Sequence, residues 1–267
     1  MFSGLKTYVR DVLPKRHQVP AKYWYCWLRG ALEPEMEMLG WLVRSQERVV
    51  DVGGNRGVYA YHLWRLGAVV EVFEPNPMCS DVLSAWAAGK SAVGIHSVAL
   101  SSRAGSANLH IPIDGVGVEH DASASLEDTG FIHAREELVP LRTLDSFRFE
   151  HVSLIKIDVE GHESSVIFGA VATIASSKPA LLVEIEQRHN ERPINEVFKK
   201  ILDSDYKGFF VGKRGLTPLE QFDVVSHQSM EHFGIGKGAY INNFLFLHRD
   251  RLADGEYCEL FKRHSLK

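Results

Sequence analysis

The sequence predicts an α/β protein: a doubly wound, mainly parallel sheet with helices on both faces, preceded by a helical leader. Three observations predict it. Residues 48–75 read as strand, glycine turn, helix and second strand; the apolar runs at 152–159 and 180–185 end in acids, as the first two strands do; and helical spacing fills the gaps between strands. In an open parallel sheet the ligand lies beyond the carboxyl ends of the strands, so Asp51, Glu74, Asp158 and Glu184 are expected along one edge.

Composition narrows the field. With 267 residues, 45% hydrophobic and 24% charged, the chain suits one large α/β domain with a sizeable core. A formal net charge of −4, without a basic stripe interleaved with aromatics, gives no reason to expect nucleic acid. Cys26, Cys79 and Cys258 are scattered and form no C-x-x-C pair, which is simplest in a reduced, cytoplasmic setting. No stretch of residues 1–17 is a continuous apolar signal core, and the aromatic burst at 23–28 falls far short of the roughly twenty residues of a membrane span. Leu5, Val9, Val12 and Leu13 share one face of a basic helix that is expected to pack on the body, a peripheral membrane contact being its other use.

Each element follows from its residues. The leader, 1–47, is helical and aromatic with Pro14, Pro20 and Pro34 as breakers, and 35–43 forms a helix feeding the first strand. Residues 48–52 are β-branched and suit a strand buried on both faces. Gly53, Gly54 and Gly57 then make the turn, and Val58, Tyr61, His62 and Arg65 take helical spacing. Strand 69–75 ends at Glu74, a helix runs from Asn76 to residue 88 with Pro77 in its first turn, and 94–100 is the third strand. Short strands at 107–113 and 138–141 flank a polar loop, 114–130, expected to face substrate. The fourth strand, 152–159, leads through Asp158, Glu160, Gly161 and His162 into a helix at 163–175, and the fifth, 180–185, ends at Glu184 and Glu186. A helix at 193–202, strands at 208–211 and 243–247, and a charged helical tail complete the chain. Three regions are expected: leader 1–47, body 48–250 and tail 251–267.

The turn discriminates between ligands. Counted from Gly53, Asn55 and Val58 stand where a dinucleotide fingerprint has its second and third glycines, and Asp51 would repel a pyrophosphate. A cationic ligand is welcomed there. Glu74, 23 residues beyond Asp51, can accept both hydroxyls of an adenosine ribose. Asp51, Gly53, Gly54, Asn55, Gly57 and Glu74 together suit S-adenosylmethionine, with its ammonium and free ribose hydroxyls.

The motifs VDVGGNRGVYA (50–60), FEPNP (73–77), VALSSRAGSANLHI (from 98), LRTLDSF (141–147), LIKIDVEGHE (154–163), LLVEIEQRH (181–189) and NNFLFLH (242–248) resemble the FkbM family of S-adenosylmethionine-dependent methyltransferases. Two of them add Pro75, Asn76 and Ala99 to the cofactor set. The resemblance implies a Rossmann-like class I methyltransferase sheet of seven strands, the last antiparallel in a hairpin with the sixth. It also implies O-methylation of a sugar, glycan, glycolipid or polyketide-type metabolite. Where many relatives have Gly-Ala, this chain has Gly53-Gly54.

An alcohol needs its proton drawn off during attack on a methyl group. His162 or Asp158 is the expected base, with Glu160 orienting it. In a competing arrangement Asp158 and Glu184, with or without His162, hold a divalent metal on the acceptor hydroxyls. Two other classes of function fit the same sheet: an NAD-linked oxidoreductase and a non-catalytic binding protein.

Overall fold

The computed structural model describes residues 12–113, 123–127, 133–213, 215–233 and 240–264. Leu5, Val9 and most of the 114–130 loop lie outside the described residues. The strands are β1 (Arg48–Val52), β2 (Val69–Phe73), β3 (Val93–His96), β4 (Ala99–Leu100), β5 (Gly105–Pro112), β6 (Ala134–Arg142), β7 (Val152–Ile157), β8 (Ala180–Glu184), β9 (Tyr206–Gly212), β10 (Gly215–Pro218) and β11 (Asn243–His248). The helices are α1 (Lys15–Leu28), α2 (Leu39–Leu42), α3 (Val58–Arg65), α4 (Pro77–Ala87), α5 (Glu163–Phe168), α6 (Val171–Ser177), α7 (Asn195–Leu202), α8 (Val224–His227), α9 (Arg249–Ala253) and α10 (Cys258–His264).

The main sheet runs β10-β9-β11-β8-β7-β1-β2-β3. Its parallel centre is built from runs with no polar face to spare: every residue of β7 is buried, and so are residues 49–52 of β1. The last strand, β11, is antiparallel to both neighbours, β8 and β9. The hairpin partner of β9 is β10, an eighth strand at the sheet edge, while β11 slots between β9 and β8. Side chains alternate across the sheet into two cores. Val49, Leu154 and Leu182 join Val19, Tyr23, Leu63, Leu83 and Leu260 on one face; Val50, Ile155 and Leu181 join Val166, Ile174, Phe198 and Phe244 on the other. Leader and tail therefore share a core with the central strands.

Three elements differ from the expected ones. The strand at 94–100 divides: β3 stays with β2, whereas β4 leaves to pair with β6 in a small sheet ordered β4-β6-β5. The helix at 35–43 is a 3-10 turn, Pro34–Met38, followed by the short α2. The helix at 163–175 breaks at Gly169 into α5 and α6, and the backbone there runs so close to Ser101 that a Cβ on Gly169 would lie 2.1 Å from its carbonyl oxygen. Across the break Asp145 supplies the missing cap, its carboxylate accepting from the N–H groups of Ala172 (2.9 Å) and Thr173 (2.8 Å). No helix among the described residues is long and apolar enough to cross a membrane.

Alanine is the better helix former, so on propensity alone Gly169→Ala should stabilise. The close approach to Ser101 reverses the sign: thermal unfolding is expected to show a loss of about 1–3 kcal/mol, the cost of overpacking.

Candidate active site at the carboxyl edge of the sheet

The turn after β1 is pressed against the end of β7. Gly53 has φ +77, and a Cβ there would sit 1.8 Å from the Asp158 carbonyl oxygen, so no larger residue fits. The N–H groups of this turn are used inside the protein. Those of Gly53 and Gly54 reach the Phe73 carbonyl oxygen (2.9 and 3.2 Å), that of Asn55 reaches Glu74 Oε2 (2.6 Å) and that of Gly57 the Gly54 oxygen (2.8 Å). A phosphate would find none of these four to bind.

Two crevices, of about 570 and 700 Å³, open on either side of this turn and meet at Gly53, Asn55 and Asp158. The first is lined by Glu74, Pro75, Ala99, Leu100 and His162. Its floor is Phe73, stacked on His96 at 4.5 Å. Glu74 is buried; besides Asn55 it accepts the Asn76 N–H at 2.8 Å. The second crevice is lined by Asp51, Gly54, Tyr59 and Lys156 and walled by leader residues Leu32, Glu33 and Met36. Of the expected cofactor residues, Gly57 and Asn76 line neither crevice: Gly57 starts α3, and Asn76 caps α4 through Oδ1 on the Met78 N–H.

Charge is concentrated around Lys156. Its register partner across the parallel β1–β7 pair is Asp51, so both side chains leave the sheet on the leader side. The Lys156 ammonium bonds Asp158 Oδ2 at 2.7 Å and lies over the Tyr59 ring at 4.7 Å. Burial on its own lowers its pKa, but Asp158 and Asp51 outweigh that and raise it. Asp51 is fully buried, and neither of its oxygens has a well-formed hydrogen bond. Burial pushes its pKa up to about 6, with Lys156 opposing and Asp158 adding to the rise. Glu184 is held well above the ordinary range by burial and then by Asp158 and Glu33, and it accepts from Asn242 Nδ2 at 2.7 Å. In the leader, Glu33 accepts from the Tyr59 hydroxyl (2.5 Å) and Asn243 Nδ2 (3.2 Å).

The turn after β7 rearranges the expected catalytic group. Glu160 adopts φ +49 and Gly161 φ +100, which carries the Glu160 carboxylate onto His189 Nε2 at 2.9 Å, not onto His162. The carboxylate on His162 is Glu127, 2.6 Å from Nδ1, and Ser101 Oγ stands 2.9 Å from Nε2. The hydrogen bond with His162 holds Glu127 below its usual range. In the neutral ring, therefore, Nδ1–H donates to Glu127 and Nε2 accepts from Ser101. The segment carrying Glu127 is anchored to the same turn, since Ser125 Oγ donates to the Glu160 carbonyl oxygen (2.7 Å) and accepts the Glu127 N–H (3.0 Å).

A metal held by Asp158 and Glu184 gains no support from this geometry, because the cation facing both is the Lys156 ammonium. Among the described residues, the side chains whose ligand atoms lie within 4.8 Å of one another are Glu160, Glu186 and His189. There Arg188 (2.7 Å) and the Tyr240 hydroxyl (2.5 Å) already occupy Glu186.

Residues 51–209, well over half of the chain, match the methyltransferase FkbM domain. Comparison with curated proteins found no match. Among solved structures, the FkbM methyltransferase of Methylobacillus flagellatus KT aligns at 19% identity over 76% of this chain and 44% of that one, with a TM-score of 0.47. The chain thus spans less than half the length of that relative. A TehB-like S-adenosylmethionine-dependent methyltransferase from Corynebacterium glutamicum ATCC 13032 Kitasato aligns at 9% identity, covering 88% and 98%, with a TM-score of 0.42. Fibrillarin of Aeropyrum pernix, in complex with natively bound S-adenosyl-L-methionine, aligns at 12%, covering 79% and 72%, also with a TM-score of 0.42.

Lys156→Met leaves Asp51 and Asp158 without their cation, and at pH 8 a loss of about 3–5 kcal/mol is expected. The folded pKa of Asp51 lies above its unfolded value. Its proton therefore favours the fold at low pH, and that contribution is lost as pH rises from 3.8 to about 6. Urea unfolding of the variant should accordingly recover part of the loss at pH 5.

Proposed function

Because the chain belongs to the FkbM methyltransferase family, we propose that it transfers the methyl group of S-adenosylmethionine to a hydroxyl of a sugar, glycan, glycolipid or polyketide-type acceptor. The observation that carries the cofactor reading is Asp51, a wholly buried carboxylate without a well-formed hydrogen bond, beside a glycine turn whose N–H groups are already spent. Such a carboxylate has acceptor capacity to offer, and an α-ammonium group can donate to it where a pyrophosphate would add repulsion. Glu74 would hold the ribose hydroxyls, with Pro75 and Ala99 beside the base. When bound, S-adenosylmethionine supplies an electrophilic methyl group.

The chain's own residues then have three tasks. His162 draws the proton to Nε2 from an acceptor hydroxyl that takes the place of Ser101 Oγ, which stands there at 2.9 Å. Glu127 fixes the ring through Nδ1 and offsets the charge the ring gains, the role expected of Glu160. Asp158, anchored by Lys156 where the two crevices meet, orients the acceptor. Of the leader, residues 22–36 wall the site, and of the tail, residues 258–264 brace the leader, Arg263 lying over the Trp41 ring at 4.8 Å. The three unpaired cysteines support a reduced, cytoplasmic setting.

Glu74→Ala is expected to weaken S-adenosylhomocysteine binding by about 1–3 kcal/mol, the cost of unpaired ribose hydroxyls; unchanged affinity by calorimetry would refute the assignment. The reaction itself is tested with a labelled methyl donor and fractionated cell extract, following which compound class takes up the label. Once an acceptor is in hand, His162→Ala should lower turnover by roughly 10²–10⁴-fold with nucleoside affinity retained, and Glu127→Gln by less. Normal turnover in His162→Ala would move the base to Asp158.

A further inference from the structure

Helix α1 is apolar on two faces. Val19 and Tyr23 are buried against the body, while His17, Ala21, Trp24, Tyr25 and Leu28 repeat at helical spacing on the opposite side and are exposed. Trp24, Tyr25 and Leu28 are 39%, 45% and 75% accessible, and Trp27 next to them 54%. In a chain of net charge −4, residues 12–32 contain no Asp or Glu but include Lys15, Arg16, Lys22 and Arg29. Arg65 of α3 adds a fifth cation, its guanidinium lying 4.7 Å over the Trp24 ring; Lys15 is paired with Asp81 of α4 at 2.8 Å.

We propose that this outer face of α1 seats the protein on the surface of an anionic lipid bilayer. Indole and phenol rings with polar tips, leucine and arginine on one short helix suit the headgroup region, where the rings are half solvated and the cations meet lipid phosphate. A second copy of the chain is the poorer occupant, since a two-fold contact would press two copies of the same basic patch together. The same helix borders the site. Lys22 and Cys26, on the other side of the helix, with Ala31 just beyond it, line the crevice that holds Asp51 and Lys156, so seating α1 leaves one helix diameter, roughly 10–12 Å, between crevice and bilayer. On the methyl-transfer reading above, the acceptor is then a membrane-borne amphiphile with a hydroxylated head.

The test is co-sedimentation of the full chain with vesicles of phosphatidylcholine alone or with 30% phosphatidylglycerol. It is run beside the triple variant Trp24→Ser, Trp27→Ser, Leu28→Ser and the charge variant Arg16→Glu, Arg29→Glu. Binding is expected to the anionic vesicles only, to fall with salt, and to drop at least tenfold in both variants while thermal unfolding and S-adenosylhomocysteine affinity stay unchanged. Absence of binding at low salt, or binding indifferent to the variants, overturns the proposal. So does conversion of a dimer to a monomer by the triple variant, which would assign the face to a second copy, or binding that requires removal of residues 1–11. Nucleoside affinity on the same samples separates the two readings: its absence would sink methyl transfer and leave the vesicle result standing.

Discussion

One buried ammonium group sets the terms for the carboxyl edge of this sheet. Lys156 stands in a strand otherwise apolar but for Ser153, directly across from Asp51 in the parallel register, and its side chain reaches Asp158. Asp51 loses its hydration at this depth and is repelled by the half-buried Asp158; the lysine makes their coexistence tolerable, though such a cluster is costly compared with an apolar core. What it secures is position. Asp158 is tied down at the point where both crevices meet, and Asp51 remains only partly compensated.

That partial compensation gives the two crevices different characters. On one side Glu33, Asp51 and Asp158 line the space together with Lys22, Arg56 and Lys156, so it is rimmed by charges of both signs, with Asp51 the most deeply buried acid. On the other, Glu74 and an apolar wall of Phe73, Ala99 and Leu100 favour a flat ring with hydroxyls at its end. The Gly53–Asp158 contact lies between them, and its closeness keeps the two spaces contiguous instead of separated by a side chain. His162 faces the first space with a carboxylate on one ring nitrogen and a hydroxyl on the other, the arrangement by which an imidazole is kept ready to take a proton.

The leader is part of this arrangement. Its inner residues complete the core and the wall of the acidic crevice, Glu33 bonding Tyr59 of α3 and Asn243 of β11. The outer residues of α1 form an aromatic and basic surface. One short helix thus links the interior of the site to the exterior of the molecule.

The sequence by itself determined the elements whose cause is local. Buried apolar runs gave β1, β7 and β8, glycines at 53 and 57 gave the turn, Pro77 behind Asn76 gave the start of α4, and acids at strand ends foretold Asp51, Glu74 and Asp158 on one edge. The lone lysine in LIKIDV was a readable signal of a buried ion pair, since a lysine in such a run needs a partner. Only the tertiary structure decided the rest. Glu127 meets His162 across 35 positions of sequence and Ser101 across 61, and no spacing rule links them. The helix at 163–175 is interrupted at Gly169, where a carbonyl group distant in sequence lies against the backbone, and Glu160 was turned from His162 to His189 by two left-handed residues. Periodicity reports which face of an element is buried. Which side chains meet there depends on how distant elements cross, and packing sets that.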